Sequence, residues 1–127
     1  MNEAKPYHII YGDKREIFKR YQITLDHLDS KLTEIASLKK MSAQNEYDMK
    51  AIKSKHQLAI SLEMDSGNTP KFKNAEARSS ELASRLRSNP DYKKLFDVEQ
   101  SVKDQLIDAD VKLQSLRALL KFYEVSM

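Results

Sequence analysis

Across 127 residues there is no cysteine and no tryptophan, and only two glycines, three prolines and three histidines. Each shortage excludes something. Without cysteine there is no disulfide scaffold, no thiol nucleophile and no cysteine-ligated zinc. So few glycines starve the hairpins and bulges that sheets need, which sets aside barrels, sandwiches and doubly wound folds. His8, His27 and His56 lie far apart in sequence, a thin supply for metal chemistry. No Gly-x-Ser-x-Gly elbow presents a serine nucleophile, and no Gly-rich loop cradles a phosphate. The chain reads as a non-enzyme with no cofactor. No run approaches the roughly 18 apolar residues of a membrane helix. Met1 to Pro6 lacks the apolar stretch of a secretory signal. The expectation is a cytoplasmic protein, in a host bacterial cytoplasm if phage-encoded.

What is abundant is charge, 32 % of the chain, with 22 Lys and Arg against 19 Asp and Glu. The net of +3 is modest, so its distribution matters more. From Lys39 to Lys94 there are 12 basic and 7 acidic residues, a net of +5. From Asp97 to Asp110 there are five acids and one lysine, a net of −4. Asp104 and Asp108 share a helix face, but two carboxylates fall short of the oxygen ligands a hard cation needs.

The pattern along the chain is helical. Residues 1–12 carry the aromatic and β-branched segment Tyr7–Tyr11, expected as an apolar arm over a helical groove or a neighbouring subunit. From Asp13 to Asp65 there is neither Gly nor Pro. Tyr21, Leu25, Leu28, Leu32 and Ile35 recur at alternating spacings of four and three, a heptad stripe. Leu38 and Met41 break that rhythm with two spacings of three, and it resumes through Asn45, Met49, Ile52, His56, Ala59 and Leu62. Gly67, as a left-handed cap, and Pro70 end the helix. A second helix over 72–87 has a lean apolar face of Phe72, Ala75, Leu82 and Leu86. At the next break Ser88 or Asn89 caps, Pro90 takes the first helical position, and Asp91 suits the positive helix end. The third helix, 90–123, carries the stripe Tyr92, Leu95 or Phe96, Val102, Leu106, Ala109, Leu113, Leu116, Leu120 and Tyr123.

These readings predict one all-α domain over 13–127: an elongated hairpin or bundle with a long first helix (13–65), a short middle helix and a long last helix. A rod this long cannot bury its own stripe and must fold back or self-associate. The dense apolar end of the last helix predicts homo-oligomerisation, with Leu106, Leu113, Leu116, Leu120 and Tyr123 at the coiled-coil interface. The basic residues Lys50, Lys53, Lys55, Lys71, Lys73, Arg78, Arg85, Lys93 and Lys94 fall towards one end of such a hairpin. There they would neutralise phosphates in a salt-dependent way. Phe72 and Tyr92 are candidates for stacking on exposed bases or for core packing.

The segment Ile60-Ser61-Leu62-Glu63-Met64-Asp65-Ser66-Gly67, the following Glu81, Leu82 and Leu86, and a last helix through Asp97, Val98, Leu106, Leu113 and Leu116 resemble the UvsY-like phage recombination mediator family. The resemblance covers Asp13 to Tyr123 in organisation. It implies a small helical protein that assembles into rings and helps load a recombinase onto single-stranded DNA coated by single-strand binding protein. Where that family carries basic side chains just before the corresponding Ser-Gly, this chain has Ala59 and Ser61; Lys53, Lys55, Lys71 and Lys73 are the neighbouring candidates. Two functions therefore stand: a single-stranded DNA-binding mediator, and a non-enzymatic assembly, scaffolding or host-inhibitor protein acting through protein contacts.

Overall fold

A computed structural model describes residues 13–127, so the expected arm over 1–12 lies outside the described residues. The fold is all-α, with three helices packed together: α1 (Lys14–Leu62), α2 (Ala75–Ser88) and α3 (Pro90–Ser126). The chain divides into two compact units. One joins the chain up to Leu38 with Gln105–Met127; the other is Lys39–Asp104.

In the first unit Ile17, Thr24 and Leu38 of α1 and Ala109, Leu113, Leu120 and Tyr123 of α3 are buried. The helices run antiparallel there: the Tyr21 hydroxyl, near the start of α1, donates to Glu124 Oε1 near the end of α3, at 3.2 Å. Thr24 is tolerated inside because its hydroxyl donates to the Arg20 carbonyl one turn back, at 2.8 Å. The α1 stripe passes through half-buried Lys31 rather than Leu32, which is exposed. Lys31 covers the seam with its stem and keeps its ammonium on Glu34, at 2.6 Å.

In the second unit the inward positions of α1 include Ser42, Asn45, Met49, Ile52, His56 and Ile60. Those of α3 are Tyr92, Leu95, Glu99 and Val102. Here the expected break in rhythm is overturned. Met41 is exposed, and Ser42 faces inward instead, so the four-three alternation runs on through Leu38, Ser42 and Asn45. The irregularity is a polar layer: the Ser42 hydroxyl donates to Glu99 Oε2 at 2.8 Å, and Glu99 is only 3 % exposed. Further along, Ile60 is buried where Ala59 was expected, and Leu62 is exposed.

The α1–α2 connection also differs from expectation. The helix stops at Leu62 because the chain then doubles back: Asp65 N–H donates to the Thr69 carbonyl, and Lys71 N–H to that of Glu63. Asp65 organises the turn, its Oδ1 accepting from the amides of Gly67 and Thr69 and its Oδ2 from the Thr69 hydroxyl at 2.6 Å. Asn68, not Gly67, is the left-handed residue, with φ 64°. Asparagine tolerates that region better than other residues with a Cβ. The second helix starts at Ala75, three residues later than expected, because Asn74 is its N-cap and accepts from Ala77 N–H at 2.7 Å. No α2 residue is buried, which fits its lean apolar face. At the α2–α3 junction Asn89 caps as expected, its Oδ1 accepting from Tyr92 N–H at 3.0 Å ahead of Pro90. The last helix continues to Ser126, beyond Tyr123.

Candidate nucleic-acid interface

All nine candidate basic residues belong to the Lys39–Asp104 unit. That unit holds 13 Lys and Arg against 10 Asp and Glu, while residues 13–38 and 105–127 hold eight of each. The positive excess therefore belongs to one unit alone.

Within it the side chains fall into three settings. In the first, Lys53 and Gln57 of α1 and Arg78 and Ser79 of α2 line one groove of about 410 Å³, with Ile60 and Leu82 among its apolar members. Lys50 and Lys55 are exposed on the same stretch of α1. Arg78 also donates from Nη1 to the Phe72 carbonyl at 3.3 Å, which steadies the guanidinium.

In the second, the charges are matched internally. Arg85 binds Glu63 through Nη2 and Glu81 through Nε, the latter at 2.9 Å. The Glu81 and Glu63 carboxylates, in that order, hold its pKa above the usual guanidinium value. Lys71 lies 3.9 Å from Glu63. The Phe72 ring sits under both cations, 5.5 Å from Lys71 Nζ and 5.9 Å from Arg85 Cζ, so it braces the connection. Lys73, beside it, is exposed.

In the third, the end of α2 and the start of α3 form a groove of about 470 Å³ in which Arg87 and Lys93 accompany Tyr92 and Phe96. Tyr92 is half-buried and Phe96 is 46 % exposed. Asp97 lines the same groove and moderates its charge, while Lys94 is exposed next to it in sequence. Sequence reasoning named neither Arg87 nor a stacking role for Phe96. Phe96 was weighed only as an alternative core residue, and Arg87 lies four residues before Asp91 on a separate helix. Only the packing of α2 on α3 brings them together.

The five residues expected at an oligomer interface lie elsewhere in function. Leu113, Leu120 and Tyr123 are buried within the single chain, and Leu106 and Leu116 are half-buried. Their stripe is occupied by α1, so a seam between copies must draw on other side chains. His56 meets Asn89 at 2.9 Å: the Asn89 oxygen is committed to Tyr92, so its Nδ2 faces His56 Nε2, which accepts. The histidine thereby supports the cap of α3. In the acidic run, Asp108 pairs with Lys112 at 3.0 Å. Among the described residues no group of three or more His, Cys, Asp or Glu is placed to hold a metal ion. No described helix is long and apolar enough to cross a membrane.

Compared with known proteins, the chain matches no family model, no curated sequence and no solved structure.

Proposed function

We propose that this chain is a non-enzymatic accessory protein that holds single-stranded DNA on its Lys39–Asp104 unit. The observation that carries the reading is the groove in which Arg87 and Lys93 flank Tyr92 and Phe96. Single-strand binding combines cations that track the phosphates with aromatic faces on which bases stack, without a sequence code. The Lys53–Arg78 groove supplies a second anion-binding stretch on the same unit. Lys50, Lys55, Lys73 and Lys94 add exposed charge. Individually weak contacts gain from repetition, so an oligomer with several such surfaces around one strand would hold it by avidity. In the role that the family resemblance implies, such a ring organises the strand for exchange between single-strand binding protein and a recombinase. The exposed apolar residues of α3 favour a second reading, a protein that works by assembly alone.

Fluorescence anisotropy with a labelled single-stranded oligonucleotide, titrated at several salt concentrations against unlabelled duplex, separates the two. Saturable binding that prefers the single strand and weakens with salt supports the first reading. Replacing Arg87 and Lys93 by Gln lowers the salt slope by about two, close to one per lost phosphate contact. Phe96→Ala costs about 1–3 kcal/mol of binding if one base stacks there. Absence of binding at low salt removes nucleic acid from the account and leaves assembly.

A further inference from the structure

The last helix is apolar on two faces. Ala109, Leu113, Leu116 and Leu120 belong to the seam with α1. On the opposite side Val111, Ala118 and Val125 recur every seven residues, with Ile107 four before the first. Ile107, Val111 and Val125 are 65, 60 and 83 % exposed. All four belong to the first unit, which carries no net charge among its described residues.

We propose that this outward stripe takes a second copy of the chain, packed antiparallel across a two-fold axis. The choice of occupant follows from charge. Asp110 and Arg117 are seven apart along one edge of the stripe, and Lys121 follows on that edge. Neither Asp110 nor Arg117 forms an ion pair among the described residues. An antiparallel copy sets Asp110 of each chain against the basic end of the other, so the contact is made twice, as an isologous interface requires. A parallel copy would oppose like with like along the same edge. The arrangement is self-complementary in one orientation only. It also leaves the α1–α3 seam intact, because it uses residues the fold does not bury.

The inference takes up the self-association within the proposed function but needs no nucleic acid. The test is therefore sedimentation of the full chain without oligonucleotide, over a concentration series, and its failure leaves strand binding to be judged separately. The expected mass rises to twice the 14.7 kDa of one chain. Ile107→Asp with Val111→Asp returns it to one chain mass at unchanged helical circular dichroism, since neither side chain is buried. Asp110→Arg weakens association at least tenfold, and adding Arg117→Asp restores it, which a folding defect would not. A single-chain mass at every concentration overturns the proposal. So does doubling that survives the Ile107 and Val111 replacements. Deleting residues 1–12 leaves the doubling in place; its loss would make the N-terminal segment the occupant and also overturn the proposal.

Discussion

Residues 13–38 and 105–127 meet over Ile17, Leu38, Leu113, Leu120 and Tyr123, whereas within Lys39–Asp104 the same two helices meet over Ser42, Glu99 and the His56–Asn89 pair. Both contacts follow a heptad spacing, but one is filled with hydrocarbon and the other is interrupted by carboxylate, hydroxyl, imidazole and carboxamide. Burying hydrocarbon stabilises by about 1.5–3 kcal/mol per large side chain, while a buried carboxylate costs free energy unless its oxygens are satisfied. Glu99 meets that requirement in part. Its Oε2 accepts from Ser42, but Oε1 is buried without a hydrogen-bond partner, as is Nδ2 of Asn45 one turn from Ser42. The contrast teaches a division of labour: the first unit carries stability, and the second gives up stability in the layer beside its basic grooves.

The largest expected effect breaks that contrast from the stable side. Leu113→Ala removes a buried side chain from the apolar seam and costs about 2–5 kcal/mol, depending on how far the seam closes over the cavity. Urea unfolding followed by helical circular dichroism measures it. A loss under about 1 kcal/mol would mean that Leu113 is not a seam residue, since even one buried methylene contributes about 0.8 kcal/mol.

The polar layer sharpens the contrast from the other side. Ser42→Ala alone removes the hydrogen bond to Glu99 and leaves a fully unpartnered buried carboxyl, a loss of about 1–3 kcal/mol. Replacing the pair together, Ser42→Ala with Glu99→Leu, removes the cost as well as the bond and leaves stability unchanged or raised by about 1–4 kcal/mol. The signature is non-additivity, the double variant standing above the Ser42 single variant in urea midpoint. If the double variant is the less stable of the two, the layer is a net stabilising network and the division of labour fails.

The same layer shows how far the fold was legible in sequence. The stripe of α3 could be read residue by residue, and the only gap, between Leu95 and Val102, falls at Glu99, the heptad position between them. A pattern that counts apolar residues skips a buried acid, and for the same reason it took exposed Met41 for inward Ser42. The Asn89 cap was legible because its chemistry is local. The turn was less so: Gly67 and Asn68 both accept left-handed backbone, and the hydrogen bonds of Asp65 decide between them. The candidate site was legible as an excess of charge and illegible as geometry. Lys53 and Arg78, or Arg87 and Phe96, come together only through packing of α2 on its neighbours, which no periodicity within one helix encodes.

A smaller effect belongs to the second unit and is read as pH dependence. Hydrogen bonds from the Thr69 hydroxyl, then the Thr69 and Gly67 amides, hold the Asp65 carboxyl below the ordinary aspartate range. A carboxylate with a lowered folded pKa contributes stability that is complete above the ordinary value, about 3.9, and is lost as pH falls through the lower folded one. Asp65→Asn removes that acid-side dependence, and amide exchange at Lys71 then no longer accelerates on acidification beyond the intrinsic rate. Unchanged acid dependence in the variant would place the sensitivity on another carboxylate.

The smallest effect tests whether polar crossing contacts matter in the apolar unit at all. Tyr21 donates to Glu124 across α1 and α3, and that hydrogen bond, then burial, then the carboxylate charge raise the phenol pKa above its usual value. A group with a raised folded pKa contributes stability that is present below the ordinary value and lost as pH climbs through the higher one. At neutral pH the contact is intact, but Glu124 reaches water and can replace the lost donor with solvent. Tyr21→Phe therefore leaves the neutral urea midpoint within measurement scatter, while ultraviolet titration of the remaining tyrosines loses an upshifted step. A midpoint drop comparable to that of Leu113→Ala would put the weight of the first unit on its polar crossing rather than its hydrocarbon. The two units would then differ only in charge.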